Sequence, residues 1–266
     1  MPESVVFKGT PIHYRTSGSG PWVVLLHGFL ESMEIWDSFA RDLERRFSVL
    51  QVDLPGHGRS GVISDVHEMR LMAEAVMAVA DQKEIARFSL CGHSMGGYAA
   101  LELASMHPDR VNSVALLHSH AAPDDEDAKE ARRRTINIVK LNHSGFINQF
   151  IPELFAPENR KRLADEIAIL RNRAGSTSAK SVIAALEGMK QRAGSLVFLS
   201  ESPMPVCFVI GRNDSRMPYN KIMAQSMMCP HAEILLLDKV GHMGFLEAPE
   251  KVFPFLLDFF VRNIKQ

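Results

Sequence analysis

Residues 88–97 read Phe-Ser-Leu-Cys-Gly-His-Ser-Met-Gly-Gly, and this stretch decides the fold that the sequence predicts. A short predicted strand, Phe88–Cys91, runs into the pattern Gly-x-Ser-x-Gly, and a predicted helix follows at once. A serine at such a strand-to-helix junction sits in a tight, strained turn with its hydroxyl exposed, so the residues two positions away must be nearly free of side chain. Gly92 and Gly96 meet that requirement, which makes Ser94 the candidate nucleophile.

Two later residues in the sequence, an acid and a histidine, complete a candidate catalytic set with Ser94. A serine hydroxyl is a weak nucleophile unless a base removes its proton, and we assign that role to His242. Asp214 is the candidate acid that orients the histidine, with Asp238 as the alternative. All follow predicted parallel strands, and in open α/β sheets ligand chemistry gathers at the carboxyl ends of the strands. The chain order Ser, Asp, His is the one expected for this kind of nucleophile turn.

The candidate oxyanion hole needs two backbone N–H donors. We assign one to Met95, directly after the nucleophile, where the helix N-terminus also favours negative charge. The other is assigned to Phe29, in the loop after the predicted strand at residues 22–26, where Gly28 permits close backbone approach. His27 and His57, in the same group of loops, are interpreted as structural residues rather than as bases.

The sequence on either side of these motifs alternates between strands and helices. Such alternation predicts an α/β fold, with a parallel sheet layered between helices. Between residues 120 and 200 the strand pattern disappears, and helical spacing predicts three helices at 124–140, 157–173 and 176–192. We therefore expect a core formed by residues 1–119 and 201–266, with a helical insertion at 120–200.

Composition excludes several classes of function. With 30 basic and 31 acidic residues among 266, the net charge of −1 gives no reason to expect nucleic acid as a partner. Three scattered cysteines, Cys91, Cys207 and Cys229, argue against a disulfide framework and a structural metal site. The sequence shows no secretory signal and no apolar stretch long enough to span a bilayer. We expect a cytoplasmic protein, and the sequence is silent on its oligomeric state.

Taken together, the motifs resemble those of the α/β-hydrolase superfamily over essentially the whole chain. The resemblance rests on five segments: His27–Phe29, Asp53–Ser60, Gly92–Gly97, Gly211–Asp214, and Gly241-His242 followed by Glu247-Ala248-Pro249. It implies a mostly parallel sheet of eight strands with a helical lid inserted after the sixth strand. It implies neither a metal nor an organic cofactor.

Departures from relatives narrow the activity that the resemblance implies. A dehalogenase or epoxide hydrolase would carry Asp in place of Ser94, and the tyrosines that activate epoxides are absent from residues 120–200. Relatives that cleave carbon–carbon bonds usually carry a Trp shortly after the histidine, where this chain has Met243 to Phe245. The menaquinone-pathway lyase carries Arg where this chain has Tyr98. What remains resembles a small carboxylesterase or a lactonase.

The candidate substrate pocket is less well defined by the sequence. Five residues are assigned to it, although packing in the core or wall is the default expectation for each: His93, His118, Phe146, Phe150 and Met243. Arg171 and Arg173 are candidates to bind a substrate carboxylate, but surface arginines are commonly just solvated.

The sequence therefore predicts a serine hydrolase that cleaves a small to medium carboxylic ester through an acyl-enzyme intermediate. Two alternatives stay open. A hydrolase of carbon–carbon bonds in ring-opened diketones would use the same three residues. A small-molecule sensor with little turnover would use the same fold, because a fold does not by itself determine function.

Overall fold

The computed structural model describes residues 3–264, which form one eight-stranded sheet flanked by helices. The strands are β1 (Glu3–Phe7), β2 (Thr10–Gly18), β3 (Trp22–Leu26), β4 (Ser48–Val52), β5 (Phe88–His93), β6 (Val111–Leu117), β7 (Val206–Gly211) and β8 (Ala232–Leu237). Their order across the sheet is β1-β2-β4-β3-β5-β6-β7-β8. β2 pairs antiparallel with β1 and β4, and all other pairs are parallel. The predicted fold class is confirmed.

Ten α-helices lie between or after the strands in the described part of the chain. They are α1 (Asp37–Leu43), α2 (Met69–Gln82), α3 (Met95–Met106), α4 (Glu126–Glu153), α5 (Ala164–Gly175), α6 (Ala179–Gln191), α7 (Leu196–Ser200), α8 (Tyr219–Ser226), α9 (Gly244–Glu247) and α10 (Pro249–Arg262). None of the described helices is both long and apolar enough to cross a membrane.

The central strands are buried on both faces, as continuous apolar runs predict. Residues 23–26 of β3, and all of β4 and β5, are buried. α2 and α3 pack against each other, and α3 also contacts β3, β5 and β6. The turn at Ser94 therefore lies between the central strand β5 and α3, a helix that packs against both α2 and the sheet.

Helices α4 to α7 occupy the segment between β6 and β7, inside the predicted insertion. The two strands nevertheless pair directly, with Val114 opposite Val206, so the insertion leaves the sheet continuous. The predicted division into core and insertion stays a prediction, because no comparison tests it.

The first helix of the insertion is longer than predicted. α4 does not end at residue 140 but continues to Glu153 with a kink at Asn142, whose φ of −152° and ψ of 76° are not helical. The Asn142 side chain accepts a hydrogen bond from the Gly145 N–H at 2.9 Å, so it caps a second helical segment. That segment carries the apolar residues from Phe146 to Phe150.

Candidate active site

Ser94 occupies the strained turn that its motif predicts. Its φ of 50° and ψ of −115° lie in a region that residues with a Cβ rarely adopt. The Ser94 N–H donates to the Leu117 carbonyl at 2.9 Å, and the Ser119 hydroxyl donates to the Ser94 carbonyl at 2.8 Å. A Cβ added at Gly92 would lie 2.5 Å from the Gly96 oxygen, which explains why this turn needs glycine.

His242 and Asp214 meet at the same edge of the sheet, just after β8 and β7. The Nδ1 atom of His242 lies 2.8 Å from Asp214 Oδ2, and both side chains are buried. The Nδ1–H therefore donates to the carboxylate, which leaves Nε2 as the lone-pair nitrogen that can accept a proton. Asp238, the alternative acid, instead pairs with Arg212, and its side chain is 77% exposed.

The Asp214 carboxylate is held by four hydrogen bonds. Its Oδ1 accepts from the backbone N–H groups of Arg216 at 2.8 Å and Met217 at 2.9 Å. Its Oδ2 accepts from His242 and, at 3.1 Å, from Nδ1 of His118. Burial by itself would raise the pKa of Asp214, but His242 and His118 outweigh it and hold the pKa well below the usual range. The group is an anion at any working pH.

His118 is a second histidine on the same carboxylate, and its tautomer is fixed. Its Nε2 accepts from the Gly244 N–H at 3.1 Å, so the ring proton is on Nδ1 and points at Asp214. Burial lowers the pKa of His118, consistent with a neutral ring. His118, Asp214 and His242 bring three possible metal-ligand atoms within 4.8 Å of one another. Because ring N–H groups rather than lone pairs face the carboxylate, both histidines act as hydrogen-bond donors to Asp214.

The loop after β3 places Phe29 close to Ser94 and His242. His27 fixes this loop, since its Nε2 accepts from the Leu54 N–H at 3.0 Å and its Nδ1 lies 2.8 Å from the Gly28 oxygen. Within residues 3–264, the N–H groups of Phe29 and Met95 have no acceptor. Both are thus available as donors next to the nucleophile turn.

A cavity of about 440 Å³ opens above these residues. Ser94 and His242 both line it, together with Phe29 and Phe150. The Ser94 hydroxyl is hydrogen-bonded to none of the described residues, so it is free to face a molecule in the cavity.

Comparison with known proteins places this chain in a family. The sequence profile of the α/β hydrolase fold matches residues 21–249. The chain belongs to the α/β-hydrolase fold family. The hydrolase is 30% identical over 249 residues to the pimeloyl-[acyl-carrier protein] methyl ester esterase of Nitrosomonas europaea, covering 90% of this chain and 96% of that protein.

Solved structures of other hydrolases are also similar. The malate-bound structure of a thermophilic esterase from Thermogutta terrifontis is 27% identical and superposes with a TM-score of 0.93 over all of both chains. The enol-lactonase of Burkholderia xenovorans LB400 is 22% identical, with a TM-score of 0.90 over 97% of this chain and all of the other. At 22% identity, the similarity to the enol-lactonase shows only that the fold is shared.

Four of the five residues assigned to the substrate pocket lie elsewhere in the hydrolase. His93, His118 and Met243 are completely buried and are not among the residues that line the cavity. Phe146 does not line the cavity either. Its ring packs against that of Phe150, with the ring centres 5.2 Å apart. Phe150 lines the cavity and meets the Phe29 ring edge-on at 5.8 Å.

His93 has a role that the sequence did not reveal. Its Nδ1 lies 3.0 Å from a Glu31 oxygen, and its Nε2 lies 2.9 Å from the His242 carbonyl. Both partners are acceptors, so both ring nitrogens donate and the imidazole is positively charged. Burial would lower the pKa of His93, but Glu31 raises it above the ordinary value. Glu31 also accepts from the Gly28 N–H at 2.7 Å, so this buried ion pair connects the loops that carry Phe29, Ser94 and His242.

Glu247 holds the loop that carries His242. Its Oε1 accepts from the N–H groups on either side of the histidine, those of Gly241 at 2.9 Å and Met243 at 3.2 Å. Its Oε2 accepts from the Ala156 N–H at 3.0 Å, in the insertion. The loop that carries His242 is therefore attached to residues 120–200 through one buried carboxylate.

Several buried histidines should make the hydrolase unstable in mild acid. Burial lowers the pKa of His57 to about 3, and burial lowers those of His67 and His120 to about 4. In the unfolded chain a histidine has a pKa of about 6.5, so below that pH the unfolded state binds protons that the folded state cannot. Each such histidine should remove ~1.4 kcal/mol of stability per pH unit between these limits. His93 opposes the trend, since its pKa is raised.

Urea unfolding at about pH 7.5, 6.5 and 5.5 measures this dependence. The free energy of unfolding should fall with pH, and His57→Gln should flatten the slope. His231→Gln, at an exposed histidine, is the matched control and should leave the slope unchanged. A free energy of unfolding that is constant over this range would contradict the prediction.

Proposed function

We propose that this protein hydrolyses carboxylic esters with Ser94 as nucleophile, His242 as base and Asp214 as the acid that orients it. The observation that carries the proposal is the shared cavity: Ser94 and His242 line it, and the His242 Nδ1–H donates to Asp214 at 2.8 Å. That hydrogen bond presents the Nε2 lone pair as the proton acceptor. A serine is useful as a nucleophile only with such a base beside it.

The reaction follows from this geometry in two steps. His242 takes the Ser94 proton as the hydroxyl oxygen attacks the ester carbonyl, and the Phe29 and Met95 N–H groups stabilise the oxyanion, each by ~3 kcal/mol. His242 then protonates the departing alcohol. Water attacks the acyl-enzyme with His242 again as base, which releases the acid. Asp214 stabilises the imidazolium in both steps.

Two further features support an ester of small to medium size as the substrate. The cavity of about 440 Å³ is in the usual range for small-molecule sites. Two similar proteins are named for ester hydrolysis, the methyl ester esterase of Nitrosomonas europaea and the esterase of Thermogutta terrifontis.

Hydrolysis of p-nitrophenyl esters across acyl lengths tests this proposal. We expect short and medium acyl chains to react faster than long ones by about tenfold or more, since the cavity of about 440 Å³ has limited room beside Phe29 and Phe150. The same protein after reaction with an organophosphonate serves as the blank. No release from folded protein would overturn the proposal, and cleavage of vinylogous diketones would then favour the carbon–carbon bond hydrolase. Ester turnover far below one per minute would favour the sensor.

A further inference from the structure

The cavity has two unlike walls. Phe29, Phe150 and Leu154 form an apolar wall, whereas Tyr98, His120, Asp124 and Arg132 are among the polar groups that line the rest. A pocket of this kind fixes the orientation of a ligand through a few polar groups. The polar residues of the wall therefore indicate which chemical group of the substrate binds against them.

Asp124 is shared by two arginines. It accepts from Nε and Nη2 of Arg132 and, at 2.6 Å, from Nη1 of Arg192. The side chains of Asp124 and Arg192 are each 4% exposed, and that of Arg132 is 21% exposed. Two guanidinium groups on one carboxylate leave one positive charge in excess in a largely buried place.

The other cations of the cavity have carboxylates of their own. Lys221 lies 3.4 Å from Asp125, and Arg216 lies 2.7 Å from Glu153. Among the described residues that line the cavity, the remaining carboxylate is Glu31, which pairs with the charged ring of His93. The excess positive charge is thus specific to the group Arg132–Asp124–Arg192.

The two arginines also affect His120 and Tyr98, which line the same cavity. Burial lowers the pKa of His120 to about 4, and Arg192, Arg132 and Lys221 add to the effect while Asp124 opposes it. His120 is therefore neutral at pH 7 and adds no charge. The Arg192 guanidinium lies 4.0 Å from the centre of the Tyr98 ring, which holds it against the wall.

Arg132 has the donor that an incoming anion would use. Its Nη1 contacts only the Met189 sulfur, at 3.5 Å, and a thioether is a weak acceptor. A buried charge without full compensation is costly, so an anion that binds here gains both a charged hydrogen bond and relief of that cost. Arg171 and Arg173, the sequence-based candidates for a carboxylate, do not line the cavity, and Arg173 pairs with Glu34 at 3.1 Å.

We propose that Arg132, supported by Asp124 and Arg192, binds a carboxylate on the substrate, so that the preferred esters are half-esters of dicarboxylic acids or similar anionic esters. This inference rests on the proposed function. It adds that the substrate spans the cavity, with the ester at Ser94 and the carboxylate at Arg132.

The test compares two esters of equal chain length, monomethyl adipate and methyl hexanoate, which differ by a terminal carboxylate in place of a methyl group. We expect wild-type kcat/KM to be about 10- to 100-fold higher for the adipate half-ester, as one charged hydrogen bond implies. Arg132→Gln should remove that preference, mainly by raising KM for the adipate half-ester. Arg133→Gln is the matched control, because Arg133 is the next residue on α4 and pairs with the exposed Glu130 instead.

The wild-type comparison alone can overturn the inference, so it does not depend on the folding of a variant. Equal rates on both esters, or a preference for methyl hexanoate, would contradict it while leaving the esterase proposal intact. Equal loss on both esters in Arg132→Gln would also contradict it. If p-nitrophenyl esters are not hydrolysed either, the proposed function itself fails and this inference fails with it.

Discussion

Ser94→Ala is expected to lower kcat for p-nitrophenyl esters by roughly 10⁵- to 10⁶-fold. The residual rate would come from the oxyanion donors and from binding, which survive the change. The fold should also survive, for two reasons. The Ser94 hydroxyl makes no hydrogen bond to a described residue, and alanine carries the same Cβ at the φ of 50°.

Covalent labelling gives a second measurement for this variant. An organophosphonate should label the wild type at one peptide, identified by mass spectrometry, and should not label Ser94→Ala. Ser176→Ala, at an exposed serine, is the matched control and should keep both turnover and labelling. Persistent labelling of Ser94→Ala, or turnover within tenfold of the wild type, would mean that another residue is the nucleophile.

Asp214→Asn is expected to lower kcat by about 10⁴-fold. The Arg216 and Met217 N–H groups need an acceptor at Oδ1, so the amide oxygen of the new side chain will settle there. Its NH₂ group must then face His242 and His118, where the carboxylate accepted two hydrogen bonds. His242 can satisfy that donor only by moving its proton to Nε2, and in that tautomer it cannot take the proton of Ser94.

Asp238→Asn separates this explanation from a general loss of charge. Asp238 follows β8, is exposed and pairs with Arg212, so its replacement should leave kcat within about twofold. Both variants should show the circular dichroism spectrum of the wild type. A large loss in Asp238→Asn together with an active Asp214→Asn would show that the acid had been assigned to the wrong residue.

The sequence predicted the features that depend on local pattern and on topology. The strand, turn and helix around Ser94 follow from a few neighbouring residues, and the α/β fold follows from the alternation of elements. Because parallel strands end at one edge, the residues after β5, β7 and β8 had to converge, whatever the details of packing. That is why Asp214 and His242 could be chosen without knowing a single distance.

The supporting groups could not be predicted, because each depends on contacts between segments far apart in the chain. Glu31 and His93 are 62 residues apart, and His118 and Asp214 are 96 apart. No local periodic pattern marks either pair as partners. A polar residue in an otherwise apolar stretch, such as Glu31 after Phe29 and Leu30, is the sign that could have indicated a buried partner.

The direct pairing of β6 with β7 across the helical insertion bears on how such a protein can change over evolution. The entropy of closing a loop grows only with the logarithm of its length, by about 0.6 kcal/mol per doubling. A longer or shorter insertion would therefore cost the sheet little. Ser94, Asp214 and His242 lie outside residues 120–200, whereas Arg132 and Phe150 lie within them. The residues proposed to carry the reaction and those proposed to select the substrate therefore lie in separate stretches of the chain. If both proposals hold, exchange of one contiguous segment would change the substrate and leave the reaction intact.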